Sequence, residues 1–305
     1  MESVKITGLI AAPFTPFDDK GEVDHSLFKK YADFLADTHF EYVFVNGTLA
    51  EGMSLTVAER KATAKAWVNC GKERLKVIVH VGTNCLKDSQ ELAKHAEEIG
   101  AFAIAALTPS YHKPENEDCL VEYMAQLAAV APNTPFYYYD INFATGVYIN
   151  CSKFLKLAKE RIPTLCGLKH SSREMPSAHG CTLVEEGKYQ VLFGTDVQYL
   201  SCLVLGMSEV VAAPVLGNLF HNIKKAFDNG DLETARSLQC KAQRLNEIKE
   251  KHGGGINIAK SMFTILSGLE MGSVRLPLRG LTPDEKKRLE TDLETAGFLD
   301  LAKPK

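Results

Sequence analysis

The chain has 305 residues, 45% of them hydrophobic, with 35 basic against 38 acidic side chains and a net charge of -3. That is enough apolar material for one large core or two modest ones. The near balance of charge, without any basic block, argues against nucleic acid and acidic membrane surfaces as partners.

The start, Met1-Glu2-Ser3-Val4-Lys5, lacks the basic and apolar regions of a secretion signal. Short apolar runs rich in β-branched and aromatic residues then alternate with helical patterns. The first four runs span 6–12, 42–45, 77–81 and 101–107; the next four span 135–141, 164–168, 190–193 and 210–215. Helix periodicity fills 26–36, 57–69, 89–99, 119–130, 152–159 and 198–205. No later segment is long and apolar enough to reach the roughly twenty residues of a membrane span. Strand alternating with helix implies parallel strands joined by crossovers. Eight such units predict a (β/α)8 TIM barrel; an open doubly wound sheet is the alternative, disfavoured because no Gly-x-Gly-x-x-Gly turn follows an early strand.

After about Leu219 the strand signal stops, and 231–251, 256–269 and 283–296 read as helices. Thr282-Pro283-Asp284-Glu285 supplies a cap hydroxyl, a proline at the first position and acids in the first turn. The expected organisation is a barrel over 1–225 with a helical extension over 226–305 packed on it as one structural unit.

The eight cysteines, at 70, 85, 119, 151, 166, 181, 202 and 240, form no Cys-x-x-Cys pair. They read as reduced thiols of a cytoplasmic protein, not as a disulfide frame or a zinc site. The nine histidines show no ligand spacing, so neither a metal nor any other cofactor is expected. There is no Gly-x-Ser-x-Gly elbow and no phosphate-binding Gly-x-x-x-x-Gly-Lys loop; Gly253-Gly254-Gly255 reads as a link between helices.

Barrel enzymes work at the carboxyl ends of their strands. There the chain places Gly47-Thr48-Leu49-Ala50-Glu51, Pro109-Ser110-Tyr111, Tyr137-Tyr138-Tyr139, Lys169, and Gly194-Thr195-Asp196. Lys169 closes the apolar run Thr164-Leu165-Cys166-Gly167-Leu168 and opens the polar stretch His170-Ser171-Ser172. A buried strand end disfavours an unpaired ammonium, and a lowered pKa would leave a neutral amine able to attack a carbonyl. The ordinary alternative is a lysine whose head reaches water. A tyrosine run more often packs a core, and Gly47-Thr48 or Asp196 more often caps a helix. Together at one mouth, an amine, a phenol and a hydroxyl form a workable set for carbonyl chemistry. His170 is expected to point away from Lys169 if the strand is regular.

Several stretches make the chain resemble the dihydrodipicolinate synthase / N-acetylneuraminate lyase family nearly end to end. They are Phe44-Val45-Asn46-Gly47-Thr48, Ser89-Gln90-Glu91-Leu92-Ala93, Pro135-Phe136-Tyr137-Tyr138-Tyr139 and Gly167-Leu168-Lys169. The likeness is greatest to the animal-type lyases. It implies a homotetramer of (β/α)8 barrels in which Lys169 forms an imine with a 2-oxo acid such as pyruvate. It also implies that Tyr139 shuttles the proton, Thr48 relays it, and Tyr111 serves a neighbouring subunit's site. Gly47, Leu49, Ser171, Gly194, Asp196, Val197 and Ala213 fall where that family contacts substrate.

The departures from the family pattern matter as much. Where the family carries two successive hydroxyl residues before Gly-Glu, this chain has Thr48-Leu49. Where the sugar lyases carry Gly-x-Asp-Glu it has Gly194-Thr195-Asp196-Val197, and Ala212-Ala213-Pro214-Val215-Leu216 replaces Gly-Ser-Thr-Tyr-Asn. Asn142 takes the place of a family proline. Each hydrogen bond lost to a charged group costs about 1.5–3 kcal/mol. Two or three losses would weaken sialic acid by roughly two to five orders of magnitude if they added. The sequence therefore predicts a Schiff-base lyase or aldolase for a small carbonyl substrate, with an acceptor pocket less polar than that of a sialic acid lyase. An ordinary lyase cleaving sialic acid to pyruvate and N-acetylmannosamine is the first alternative, and a non-catalytic binding protein the second.

Overall fold

The computed structural model describes residues 5–71 and 73–303. Most of the Met1–Lys5 start, expected to hold no secretion signal, lies outside the described residues. Eight strands run in chain order: β1 (Leu9–Ala11), β2 (Phe40–Val45), β3 (Lys76–His80), β4 (Ala103–Leu107), β5 (Phe136–Asp140), β6 (Leu165–His170), β7 (Gln190–Phe193) and β8 (Val211–Ala212). All pair in parallel, in the order β7-β6-β5-β4-β3-β2-β1-β8. A parallel bridge between Phe193 and Val210 brings the two sheet ends together. This is the expected (β/α)8 barrel.

Each predicted apolar run overlaps its strand, with two instructive differences. β6 runs on through Lys169 and His170, so the lysine lies inside the strand and not just past it. β8 shrinks to two residues because Pro214, which has no N–H to donate, starts a 3-10 turn. The helices Met175–Thr182 and Gly217–Asp228, and the single helical turn Asn142–Thr145, have no counterpart among the periodic segments read from the sequence. The chain then continues as helices Leu232–Lys251, Ile256–Ser267 and Pro283–Thr295. The last opens with a capping box in which the Thr282 hydroxyl accepts from Glu285 N–H while the Glu285 carboxylate accepts from Thr282 N–H.

Side chains alternate across each strand. Ile10, Phe44, Ile78, Ala105, Tyr137, Tyr139 and Leu192 fill the barrel interior. Val43, Val45, Ile104, Phe136, Tyr138 and Leu168 face the helical layer. Residues paired across a parallel ladder point the same way, which makes a bulge between β5 and β6 decisive. Phe136 pairs with Leu165, but Tyr137 pairs with Gly167, so Cys166 is an extra residue. Tyr139 then pairs with Lys169 and Asp140 with His170. Without the extra residue, Lys169 would sit opposite Asp140 and face outward.

Gly167 makes the bulge possible. A Cβ there would lie 1.9 Å from the backbone oxygen of Gln190, its partner on β7. Backbone cannot rotate away as a side chain can, so Gly167→Ala is expected to destabilise the fold by about 3 kcal/mol, the upper end of overpacking costs. Urea denaturation measures this directly; an unchanged midpoint would mean that β6 and β7 do not approach this closely.

Candidate active site

Lys169 enters the barrel interior near the carboxyl end of β6 and is only 4% exposed. Its Nζ sits 3.9 Å from the ring centroid of Phe44 on β2 and 4.1 Å from that of Tyr139 on β5. The rings attract a cation through their π faces but replace little of its lost hydration. Burial therefore pulls the amine below an ordinary lysine, opposed by Tyr139 through charge and a hydrogen bond and by the charge of Asp196. The hydroxyls of Tyr139 and Thr48 are hydrogen-bonded at 3.0 Å. Amine, phenol and hydroxyl thus lie together.

Thr48 lies on the loop after β2, and the C-terminal helices hold that loop. Glu51 adopts a left-handed conformation and is buried. Its carboxylate takes a hydrogen bond from the Lys260 ammonium at 3.1 Å and another from Arg275 N–H at 2.8 Å. Lys260 also donates to Ser273 O at 2.8 Å, and the Arg275 guanidinium pairs with Glu59. A Cβ at Gly52 would fall 1.9 Å from Asn46 O, so the loop closes tightly on itself. Gly47 and Thr48 line a cavity of about 260 Å³ with His80, Ser110 and Ile141.

Leu49, Asp196 and Ala213 share a smaller cavity of about 100 Å³ with Phe14, Val215 and Lys249. Burial pushes the Asp196 carboxyl up to about 6, against the charge of Lys249, a hydrogen bond from Ala213 N–H and the charge of Lys169. The Ala213 contact is 3.4 Å long. Ser171 is buried beside Gly194, where a Cβ would come within 2.2 Å of Ser171 Oγ. Val197 follows Asp196 in a 3-10 turn and is half-buried. Tyr111 stands apart, 81% exposed, its N–H donating to Asn84 Oδ1 at 3.3 Å.

Sequence reasoning missed Phe44 and His80. His80 closes β3 inside an apolar run, where a lone polar residue was the available signal. Its Nε2 accepts from Leu107 N–H at 3.3 Å, so its Nδ1–H donates to Asn46 O at 3.0 Å. Burial, then the neighbouring Arg60 guanidinium, hold it well below the ordinary histidine range. A neutral imidazole therefore stands edge-on to the Tyr139 ring at 5.6 Å. His170 points away from Lys169, as expected for a strand neighbour, and meets Asp140 on the outer face. Among the described residues, the one grouping of histidine, cysteine and carboxylate able to hold a metal is on that face, outside the Lys169 site.

Residues 5–296 match the dihydrodipicolinate synthetase family. The N-acetylneuraminate lyase of Rattus norvegicus is 39% identical over 300 residues, covering 97% of this chain and 94% of the rat protein. The Homo sapiens N-acetylneuraminate lyase is 39% identical over 302 residues, with the same coverages. Among solved structures, the N-acetylneuraminate lyase (sialic acid aldolase) of Aliivibrio salmonicida superposes with a TM-score of 0.93 at 34% identity, over 97% of this chain and 98% of that one. A catalytic lysine mutant of the Ruminococcus gnavus sialic acid aldolase superposes with a TM-score of 0.85 at 27% identity, covering 95% and 96%.

The buried amine has a consequence for stability. An unfolded lysine binds its proton near 10.5, whereas folded Lys169 binds it only at lower pH. Between those values the unfolded chain holds more protons, so folding weakens as pH falls; below the folded value the penalty is complete. Lys169→Met removes it. The variant is expected to be more stable than the parent by about 1–4 kcal/mol at neutral pH, as when buried charge gives way to apolar side chains. Its advantage should grow as pH falls from 10.5 and then level off, measured by denaturant midpoints across pH. A variant no more stable at any pH would show that water reaches the amine.

Proposed function

The chain belongs to the dihydrodipicolinate synthetase family and is a Schiff-base-forming carbon–carbon lyase of the aldolase type; we propose that Lys169 is the residue that forms the imine. The observation that carries this reading is the buried amine on the rings of Phe44 and Tyr139, with Tyr139 hydrogen-bonded to Thr48. A structural neighbour with a catalytic lysine supports it.

In this mechanism the unprotonated Lys169 amine attacks the 2-oxo carbon of the substrate, the Tyr139 phenol gives up its proton, and water leaves, giving an iminium beside a phenolate. Tyr139 takes the proton from the hydroxyl on C4, and the C3–C4 bonding pair moves into the iminium. An aldehyde leaves and an enamine remains. Tyr139 returns the proton to C3, with Thr48 as its relay, and water hydrolyses the imine to release pyruvate and the free amine. In this reading the backbone N–H groups of the Gly47–Leu49 turn hold the substrate carboxylate. The neutral His80 keeps a second cation away from the amine.

For the substrate, we favour the reaction named for the rat and human relatives, cleavage of N-acetylneuraminate. Asp196 supports it, because an ionised carboxylate in the smaller cavity can accept hydrogen bonds from a polyol. A second reading, a less polar acceptor, is favoured by Leu49 and Ala213 lining that cavity where the family has hydroxyls. The proposal includes a cytoplasmic homotetramer in which Tyr111 completes a neighbour's site. The exposed Tyr111 ring and eight free cysteines are in keeping with it.

Borohydride reduction in the presence of pyruvate tests the imine. A reduced pyruvyl adduct on Lys169, absent from Lys169→Ala, is the expected result. A protein that traps no pyruvate, ketone or aldehyde would be a binding protein on the same barrel. Tyr139→Phe should still trap pyruvate while kcat for N-acetylneuraminate falls by about 10²–10⁴, the usual worth of a proton-transfer group. Equal loss of trapping and turnover would remove Tyr139 from the proton path.

The same assay reports electrostatics. The negative charge of Asp196 holds the Lys169 pKa up, so Asp196→Asn should let the amine lose its proton at lower pH. The acid limb of trapping rate against pH is then expected to shift to lower pH. A shift upward, or none, would mean that the two groups do not sense each other.

A further inference from the structure

Asp140 and His170 are the last residues of β5 and β6, each one step past Tyr139 and Lys169. They consequently face the helical layer, where His170 Nδ1 lies 2.7 Å from Asp140 Oδ2. Cys151 opens the helix Cys151–Ala158 against them, and one ligand atom each from Asp140, Cys151 and His170 lie within 4.8 Å of one another. Cys181, on the helix Met175–Thr182, has its sulfur 3.6 Å from the Oγ of Ser152, the residue after Cys151, and lies just outside that grouping. All four residues are at most 2% exposed.

This cluster is poorly satisfied as it stands. Neither ring nitrogen of His170 has an aligned hydrogen-bond partner, despite the short approach to Asp140. Leaving a buried polar atom unpaired costs about 1–3 kcal/mol. A Cys-His-Asp catalytic set is ruled out by burial, which leaves no approach for a substrate. What fits is a cation. A sulfur, an imidazole and a carboxylate within 4.8 Å of one another are zinc donors, and tetrahedral zinc with bonds of about 2.0–2.3 Å places its ligands roughly 3.3–3.8 Å apart.

We propose that Asp140, Cys151 and His170 bind one zinc ion on the outer face of the barrel, directly behind Tyr139 and Lys169, and that Cys181 turns in as the fourth donor. Four protein ligands close the coordination sphere, so the ion is structural and takes no part in the reaction. It ties β5 and β6 to two helices and fixes the separation of the strands that carry the proposed catalytic pair. The two thiols lose their protons to solvent on binding, and no oxidant is needed. The proposal stands independently of the lyase reading.

The test is elemental analysis and native mass spectrometry of the full chain, reduced and dialysed against zinc. One zinc per chain is expected. Cobalt in its place should give the near-ultraviolet thiolate-to-metal band and the visible bands of a tetrahedral site. Cys151→Ser and His170→Phe should abolish stoichiometric binding, whereas Cys240→Ser, at an exposed position, should keep it. Should the site variants misfold, the zinc content and cobalt spectrum of the unaltered chain decide the matter, together with protection of Cys151 and Cys181 from alkylation by zinc. A chain that takes up neither metal overturns the proposal. So does metal held while both thiols alkylate freely, or a mass lowered by the two hydrogens of a Cys151–Cys181 disulfide in zinc-treated protein.

Discussion

One extra residue in β6 governs which side chains of β6 face the barrel interior. A strand has a period of two, so slipping the register by one exchanges the faces of every side chain beyond the slip. Cys166 supplies the slip, and Gly167 accommodates it because Gln190 O leaves no room for a Cβ. Beyond it, Tyr139 and Lys169 face inward while Asp140 and His170 face outward. Bulges commonly re-aim side chains next to active sites. Here the same slip sets the inner pair against the aromatic floor and the outer pair against two helices bearing thiols.

The inner set is an arrangement of controlled desolvation. The Lys169 amine rests on two rings and His80 stays neutral, so the local charges that act on the amine are Asp196 and the polarised Tyr139 hydroxyl. Thr48 must arrive from another strand, and its loop is pinned from outside the barrel. Glu51 holds a strained left-handed turn only because Lys260 and the Arg275 backbone satisfy its carboxylate. The helices after the barrel therefore act on the site through one buried ion pair, more than two hundred residues away in sequence.

What could be read from the sequence followed from periodicity. The strand runs, most helices and the convergence of Lys169, Tyr139 and Thr48 rest on patterns within single segments or on family likeness. The helices Met175–Thr182 and Gly217–Asp228 escaped because they open with Pro176 and Gly217 next to strand ends, where breakers mask a short apolar stripe. Gly167 inside an apolar run was a legible bulge signal, since an isolated strand glycine often marks one. The histidine–cysteine cluster was not legible in this way. Its four members come from four elements, and the spacing rules for zinc ligands describe sites whose ligands fall in pairs along the chain.

The apolar replacements read from the sequence carry different weights once placed in space. Leu49 packs against both the inner and the outer core, so part of its side chain is structural. Pro214 and Val215 belong to the turn that ends β8, where they shape the strand end as well as the cavity wall. Asp196 stays in that cavity, with a carboxyl that titrates near 6 and Lys249 across from it. At neutral pH it is mostly ionised and offers a polyol strong acceptors. It falls at the Asp of the Gly-x-Asp-Glu pattern, so it keeps a contact worth about 1.5–3 kcal/mol and does not replace the polar groups lost at Leu49, Val197 and Ala213. Because part of Leu49 and of the β8 turn serves packing, the additive penalty against sialic acid is an upper bound.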